Sequence, residues 1–257
     1  MKRQARTYGR AAGFAGVTAA LLPLYLARMR LAQARGEAQR PLRDAWIHRW
    51  TTQLLRLFDI EVELEKALGP PPPAGRLVVA NHRSAIDIGV LLGTFGGRMV
   101  SRADLSGWPL LGAAARAVGT LFVDRQKAQS GAATIRMIKD ALRSGDTVLL
   151  FPEGTTFAGD EVRPFHAGSF LAVSHTQSEI VPVGLAYSKD SDAAYVDTTF
   201  VQHLGRIARS EHTRVAVVVG EPIRAGDDKT KVLAARCRER VQELVHEARK
   251  RVDRDRA

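Results

Sequence analysis

The chain is short of cysteine. Its 257 residues contain one thiol, Cys237, which rules out an intrachain disulfide framework and a cysteine-rich metal site. Cys237 lies in Ala235-Arg236-Cys237-Arg238-Glu239-Arg240, a charged helical stretch in which a bystander thiol is expected even though flanking arginines favour a thiolate. No Gly-x-Ser-x-Gly elbow occurs, so the usual signature of a serine hydrolase is missing. Walker and dinucleotide-binding glycine motifs are missing too. His48, His175, His203, His212 and His246 have no metal-ligand spacing and read as surface or core residues, so no metal is expected. No internal repeat is visible. Acidic residues are scarce at the start. Residues 1–58 hold eleven Lys or Arg against Glu37 and Asp44 alone, which is +9 of the chain's net +11. Such a segment prefers an anionic surface, either nucleic acid or acidic lipid. Beside an anionic bilayer each basic side chain contributes on the order of 1 kcal/mol.

The length and a hydrophobic content of 45% suffice for one large core with a small accessory element. Residues 11–27 carry no charge and are bracketed by Lys2, Arg3, Arg6 and Arg10 before and by Arg28 and Arg30 after. A spanning helix needs roughly 20 apolar residues, and this run is shorter and contains Pro23. A short or re-entrant membrane helix, a cleaved signal peptide and a buried helix all compete. The lone cysteine and the basic residues that follow weigh against the signal peptide, so membrane insertion or surface anchoring is expected. In residues 42–58, Trp46, Trp50, Leu54, Leu57 and Phe58 recur at helical spacing while Arg43, Arg49 and Arg56 take other positions. Tryptophan with arginine suits a lipid headgroup region, and the same stripe suits packing on the protein's own core. Pro70-Pro71-Pro72-Pro73 excludes helix interior and central strand and marks a stiff connector.

Two units are therefore expected: basic, amphipathic, membrane-associating helices over 1–64 and a catalytic α/β domain over 75–257. In the second, strand patterns at 76–80, 119–123, 147–151, 180–186 and 214–220 interleave with helical patterns at 85–94, 107–117, 128–143, 166–176 and 229–252. That alternation predicts an α/β fold with a central, largely parallel sheet flanked by helices. Near-continuous apolar strands such as Val215-Ala216-Val217-Val218-Val219 suit a sheet covered on both faces.

Polar clusters follow two of these strands: Asn81-His82-Arg83-Ser84-Ala85-Ile86-Asp87 after 77–80, and Phe151-Pro152-Glu153-Gly154-Thr155-Thr156 after 147–150. Strand exits along one sheet edge are where α/β folds gather reactive groups. An ideal helix would set His82 and Asp87 roughly 140° apart, so they meet only if His82 precedes the helix and the chain turns between them. Ser84-Ala85-Ile86-Asp87 also reads as a capping box, which gives Asp87 a purely structural alternative. As a partner, Asp87 would fix the tautomer and orientation of His82 as a general base.

The arrangement Asn81-His82, four residues, Asp87 resembles the first signature of the glycerolipid acyltransferase superfamily, which includes 1-acyl-sn-glycerol-3-phosphate acyltransferases. Gly119-Thr120-Leu121-Phe122-Val123-Asp124-Arg125 is similar to its second block, Phe151-Pro152-Glu153-Gly154-Thr155 to its third and Ile180-Val181-Pro182-Val183-Gly184 to its fourth. The resemblance implies acyl transfer from acyl-CoA or acyl carrier protein to a lipid hydroxyl. His82 would act as base, Asp87 would hold the imidazole, and no acyl-enzyme or cofactor would be needed. It also implies a substrate-binding set of Arg125, Glu153, Gly154, Thr155 and Thr156. Against that set stand bland readings of Arg125 as a surface arginine and of Glu153 as a turn carboxylate.

Two positions depart from the family pattern. Thr156 stands where phosphatidic-acid-forming members usually carry an arginine, with Arg125 or Arg163 as compensating candidates. His166 follows Phe165 where many relatives have lysine or arginine, and a pH-sensitive substitute competes with a structural role. The expectation is a membrane-associated O-acyltransferase at the cytoplasmic face, with an anionic membrane surface rather than nucleic acid as its partner. The leading acceptor is 1-acyl-sn-glycerol-3-phosphate, giving phosphatidic acid. The alternatives are a lyso-ornithine lipid or other non-phosphate lysolipid, and a catalytically inactive basic membrane-binding protein.

Overall fold

The structure, a computed structural model, describes residues 2–124, 130–174, 176–189, 191 and 193–254. Strands β1 (Ile60–Leu64), β2 (Arg76–Ala80), β3 (Arg98–Arg102), β4 (Leu121–Val123), β5 (Thr147–Leu150), β6 (Glu179–Tyr187), β7 (Thr213–Val219) and β8 (Ile223–Arg224) form one sheet. Its order is β1-β7-β6-β2-β5-β3-β4, with β8 pairing β6. Among the described residues, only the β6–β7 and β6–β8 pairs are antiparallel. The helices are α1 (Lys2–Ala34), α2 (Gln39–Leu57), α3 (Ile86–Phe95), α4 (Leu111–Ala117), α5 (Ser130–Arg143), α6 (Phe200–Arg209) and α7 (Thr230–Arg254).

Strand periodicity divides the core into layers. Val78 and Ala80 of β2 face one side with Leu149 of β5 and Val181, Val183 and Leu185 of β6, under Ile47 of α2, Val90 and Leu91 of α3 and Ile207 of α6. Leu77, Val79, Val148 and Ile180 face the other side, under Ile138 and Leu142 of α5 and Leu233, Val241 and Val245 of α7. All five residues of β2 are buried, because both of its faces are covered. A Cβ at Gly184 would lie 2.3 Å from the Leu244 carbonyl carbon, so glycine lets the α7 backbone rest directly on β6.

The expected alternating α/β pattern and mostly parallel sheet are present, with local differences. β1, read as the tail of the N-terminal segment, is an edge strand paired to β7. Its Ile60 and Val62 pack on the core while Glu61 and Glu63 alternate with them. β3 begins and ends in arginine, which hides its short apolar centre. Among the described residues of the region 166–176 there is a 3-10 turn, Ala167–Phe170, in place of the expected helix, and Phe170, Ala172 and Val173 are buried through turns. α6 begins with a capping box in which Thr199 Oγ1 accepts from the Gln202 amide and Gln202 Oε1 from the Thr199 amide.

At the N-terminus, α1 runs well past the charge-free 11–27 with Pro23 inside it. α2 lies along α1. Trp46 Nε1 donates to the Leu21 carbonyl, Trp50 Nε1 donates to Thr18 Oγ1, and Trp46 stacks on Tyr25 with centroids 4.5 Å apart. The tryptophans therefore pack against the protein itself. The hairpin is clamped to the sheet by Asp146, which accepts from Arg43 (2.9 Å) and Arg98 (2.7 Å) and lies 3.1 Å from the Arg40 guanidinium. Arg10 donates to the carbonyls of Leu57, Ala208 and Glu211. Arg6 pairs with Glu211 and Arg28 with Glu37. Much of the N-terminal basic excess therefore holds the helices in place, and fewer cations face outward than the charge count suggests.

Candidate active site

Strand β2 ends at Ala80, and the Asn81 side chain continues its pairing. Asn81 Nδ2 donates to the Leu185 carbonyl at 2.9 Å and its Oδ1 accepts from the Leu185 amide at 2.8 Å. This fixes the chain as it leaves the sheet and sets His82 at the strand exit. The turn 82–85 then feeds α3, whose first turn carries Asp87. His82 Nδ1 lies 2.8 Å from Asp87 Oδ2. The same oxygen accepts from the backbone amides of Arg83 (2.6 Å) and Ser84 (2.9 Å). Asp87 thus ties the turn and faces the imidazole at once. Asp87 Oδ1 accepts from the Tyr187 hydroxyl at 2.5 Å. With a carboxylate accepting at Nδ1, Nε2 is the ring nitrogen left with a lone pair. The His82 ring stacks on Phe151, with centroids 4.0 Å apart and planes within 5°.

The second strand-exit cluster closes on the first. Glu153 Oε1 accepts from the His82 amide (2.8 Å) and Arg83 Nη1 (2.9 Å), and Oε2 accepts from the Arg163 amide (2.9 Å). The Glu153 side chain is fully buried. The expected substrate contact is therefore not its position: it braces the loop that carries His82. Arg83 extends the brace with bonds to the carbonyls of Gly159 and Glu161. Gly154 takes φ 82°, a left-handed value that turns the chain sharply after Glu153. Thr156 Oγ1 donates to the Tyr195 carbonyl at 2.6 Å.

His82, Gly154, Thr155 and Thr156 line one cavity of about 790 Å³. Asp87 and Glu153 stand behind its wall. Several lining residues were not singled out in the sequence: Arg102 and Asp104, paired at 3.0 Å, Trp108, Tyr195, Asp197 and Phe200. They come from the end of β3 and the turn after it, and from the connection between β6 and α6 with the first residue of α6, none of which carries a local signature. An apolar crevice of about 80 Å³ adjoins this cavity. The two share Ile88, Ser101, Leu105 and Phe200, and Trp46 and Trp50 of α2 also line the crevice. Arg125 lies outside the described residues, as does His175. Arg163 is directed at the Phe157 ring and at Glu161, and His166 is exposed. Cys237 is buried, and burial pushes its thiol up to about 12, in keeping with a bystander. His203 of α6 is buried behind the turn. Its Nε2 accepts from the Ala85 amide and meets Ser84 Oγ, both at 3.2 Å. Burial, then the Arg206 charge, pulls it down to about 4.

Chemically, a histidine with a carboxylate at Nδ1, its free nitrogen beside a roomy cavity, is suited to general-base catalysis on a hydroxyl. A family model described as Acyltransferase matches residues 59–186. A lyso-ornithine lipid O-acyltransferase of Pseudomonas aeruginosa is 32% identical over 188 residues, covering 71% of each chain. A 1-acyl-sn-glycerol-3-phosphate acyltransferase of Neisseria meningitidis is 27% identical over 169 residues, covering 64% of this chain and 66% of that one. The crystal structure of the 1-acyl-sn-glycerophosphate acyltransferase PlsC from Thermotoga maritima superposes with a TM-score of 0.72 at 20% identity, covering 95% of this chain and 97% of that one.

Proposed function

The chain belongs to the acyltransferase family, and from that membership we propose that it moves a fatty acyl group from a thioester to the hydroxyl of a lysolipid at the cytoplasmic face of a membrane. The observation that carries this reading is the 2.8 Å contact between His82 and Asp87 at the wall of the large cavity. His82 Nε2 takes the proton of the acceptor hydroxyl as its oxygen bonds to the thioester carbonyl carbon. The carbon–sulfur bond breaks, and the departing sulfur receives the proton from the imidazolium. Proton removal contributes about 10² to 10⁴ in rate, and positioning of both substrates contributes the rest. The two substrates, with acyl-CoA or acyl carrier protein as donor, balance the reaction, so the proposal includes no cofactor.

The membrane setting is supported by α1. It is long and apolar enough to cross a bilayer by length and composition, and it exposes Leu24, Leu26 and Leu31. The apolar crevice leads from the cavity towards α2, a path suited to a lipid chain.

Two acceptors divide the reading. 1-Acyl-sn-glycerol-3-phosphate, the leading sequence expectation, is supported by Arg102 in the cavity wall and by the named likeness to the Neisseria enzyme. A lyso-ornithine lipid is supported by Thr156 at the position of the family's arginine, and by Asp104 and Asp197 in the same wall. Ornithine carries both an ammonium and a carboxylate, which suits two carboxylates and an arginine better than a phosphate dianion does. The cavity's charges favour this second acceptor.

The test is product analysis by mass spectrometry, with purified full-length protein in detergent given each lysolipid and either acyl-CoA or acyl carrier protein. His82→Ala is expected to lose at least about 10² in turnover with its melting temperature retained. A variant within tenfold of the native rate rules out this base. Turnover on the glycerol phosphate acceptor alone rules out the zwitterionic reading.

A further inference from the structure

We propose that Tyr187 is a positioning residue of the dyad: its hydroxyl holds Asp87 Oδ1 and thereby sets how strongly Oδ2 grips the His82 ring. The inference rests on His82 acting as the base and goes beyond it by naming a third member. The geometry is asymmetric. The ring nitrogen of His82 and the amides of Arg83 and Ser84 all bond Oδ2. Among the described residues, Oδ1 has one hydrogen-bond partner, the Tyr187 hydroxyl at 2.5 Å. Asp87 is fully buried, so no water substitutes for that donor. Without it, Oδ1 becomes a buried carboxylate oxygen with no partner, which favours protonating Asp87. A protonated Asp87 no longer stabilises the imidazolium, so base catalysis fails at a higher pH than in the native enzyme.

Tyr187 is itself well held. It ends β6, the strand that also bonds Asn81, so the residue before His82 and the residue behind Asp87 are fixed by one strand. Its carbonyl accepts from Arg249 of α7 at 2.6 Å, and Arg249 forms two parallel bonds to Asp160 in the loop that follows Glu153. Burial, reinforced by the Asp87 charge, holds the phenol proton in place well above the usual tyrosine range. Tyr187 therefore donates throughout the working pH range and takes no part in proton transfer.

The charged and titratable groups around the pair come from every packed element. His82 and Arg83 belong to the turn, Glu153 to the loop after β5, His203 and Arg206 to α6, and Arg249 to α7. His203 stays uncharged near neutrality because burial pulls it down to about 4. Arg83 and Glu153 neutralise each other in a 2.9 Å pair.

The experiment is the pH profile of kcat/KM for native protein, Tyr187→Phe, and protein with 3-fluorotyrosine incorporated at position 187. Each is purified at full length in detergent, and rates are read by thiol release from an acyl-CoA with the lysolipid acceptor that gives highest turnover. Phenylalanine keeps the ring and the core packing. Its acid limb is expected to move to higher pH by on the order of one unit, with a smaller change on the plateau. Fluorotyrosine keeps the bond and makes the phenol a stronger donor, so its limb is expected to move the opposite way. A Tyr187→Phe limb within about 0.2 unit of native overturns the proposal, whatever happens to the melting temperature. So does a fluorotyrosine limb displaced in the same direction as the phenylalanine limb. An active His82→Ala would instead overturn the general-base reading, so the two failures are distinguishable.

Discussion

Replacing Asp87 by asparagine separates the charge of the dyad from its geometry. Three hydrogens converge on Oδ2, from His82 Nδ1 and the amides of Arg83 and Ser84. An asparagine must put its oxygen there, because its amide group would confront two backbone N–H donors. The amide then faces Tyr187, whose hydroxyl can turn to accept. The turn at 83–84 keeps its partners and the imidazole keeps its tautomer. What is lost is the charge. A hydrogen bond to an ionised group is worth about 1.5–3 kcal/mol and a neutral one about 0.5–1.5. On the proposed mechanism, the imidazolium formed in the transition state therefore loses about 1–2 kcal/mol, on the order of tenfold in rate. This is well short of the effect expected for removing His82. The assay is initial-rate thiol release under saturating acceptor, alongside thermal melting in detergent. A native rate in Asp87→Asn would refute the electrostatic role of Asp87. Loss of the melting transition would show that its bonds to the turn dominate.

Two further outcomes concern the scaffold. Asp146→Asn removes the negative charge shared by Arg40, Arg43 and Arg98 and sets an NH2 group against them, and breaking a buried pair of this kind costs about 3–5 kcal/mol. The apparent melting temperature is expected to fall by about 10 °C. Burial alone would raise the Asp146 carboxyl, but the bonds and charges of Arg43 and Arg98 outweigh it and hold the group below its usual value. Its contribution to stability is therefore complete above the ordinary aspartate range, near about pH 4. It is lost as pH falls through the lowered folded value. A melting profile from neutral to acid pH should show native protein losing its advantage over Asp146→Asn at the acid end, and parallel curves would refute the clamp. Gly184→Ala drives a methyl to 2.3 Å from the Leu244 backbone and 2.4 Å from the Val245 nitrogen. It should separate α7 from β6, with loss of at least about 1–3 kcal/mol, measured as reduced folded yield and melting temperature. A stable variant would mean that α7 can shift freely.

Legibility followed burial and periodicity. β2, β5, β6 and β7 are apolar because both sheet faces are covered, so their sequences announce them. β3 pairs with β5 and β4, yet its ends are arginines, and Arg98 is there to meet Asp146 rather than to fill a core. β1 carries a period-2 pattern and α6 a capping box, but the proline run beside β1 and an unremarkable loop before α6 mask both boundaries in the sequence. The His82–Asp87 contact was legible because five residues of a turn decide it. Arg102, Asp104, Tyr195 and Asp197 were not, because a cavity wall assembled from a strand end, a turn and a separate loop leaves no pattern in any of them.

The two strand-exit clusters illustrate the limit of reading each motif by itself. Taken alone, Glu153 invites assignment to the substrate, since it follows a strand and precedes a glycine turn. In the fold it accepts from the backbone of His82 and the side chain of Arg83, and Arg83 reaches on to Gly159 and Glu161. A carboxylate buried with an arginine and two amides is stable where it is, and Glu153 is not among the residues that line the cavity. Its neighbours Gly154, Thr155 and Thr156 face the cavity because Glu153 faces away. The strength of the second cluster therefore lies in coupling. It holds the His82 turn from behind and presents three small residues to the cavity, so on the proposed mechanism a change at Glu153 would act through the His82 turn as well as the cavity wall, whereas a change at Thr155 would act on the cavity wall.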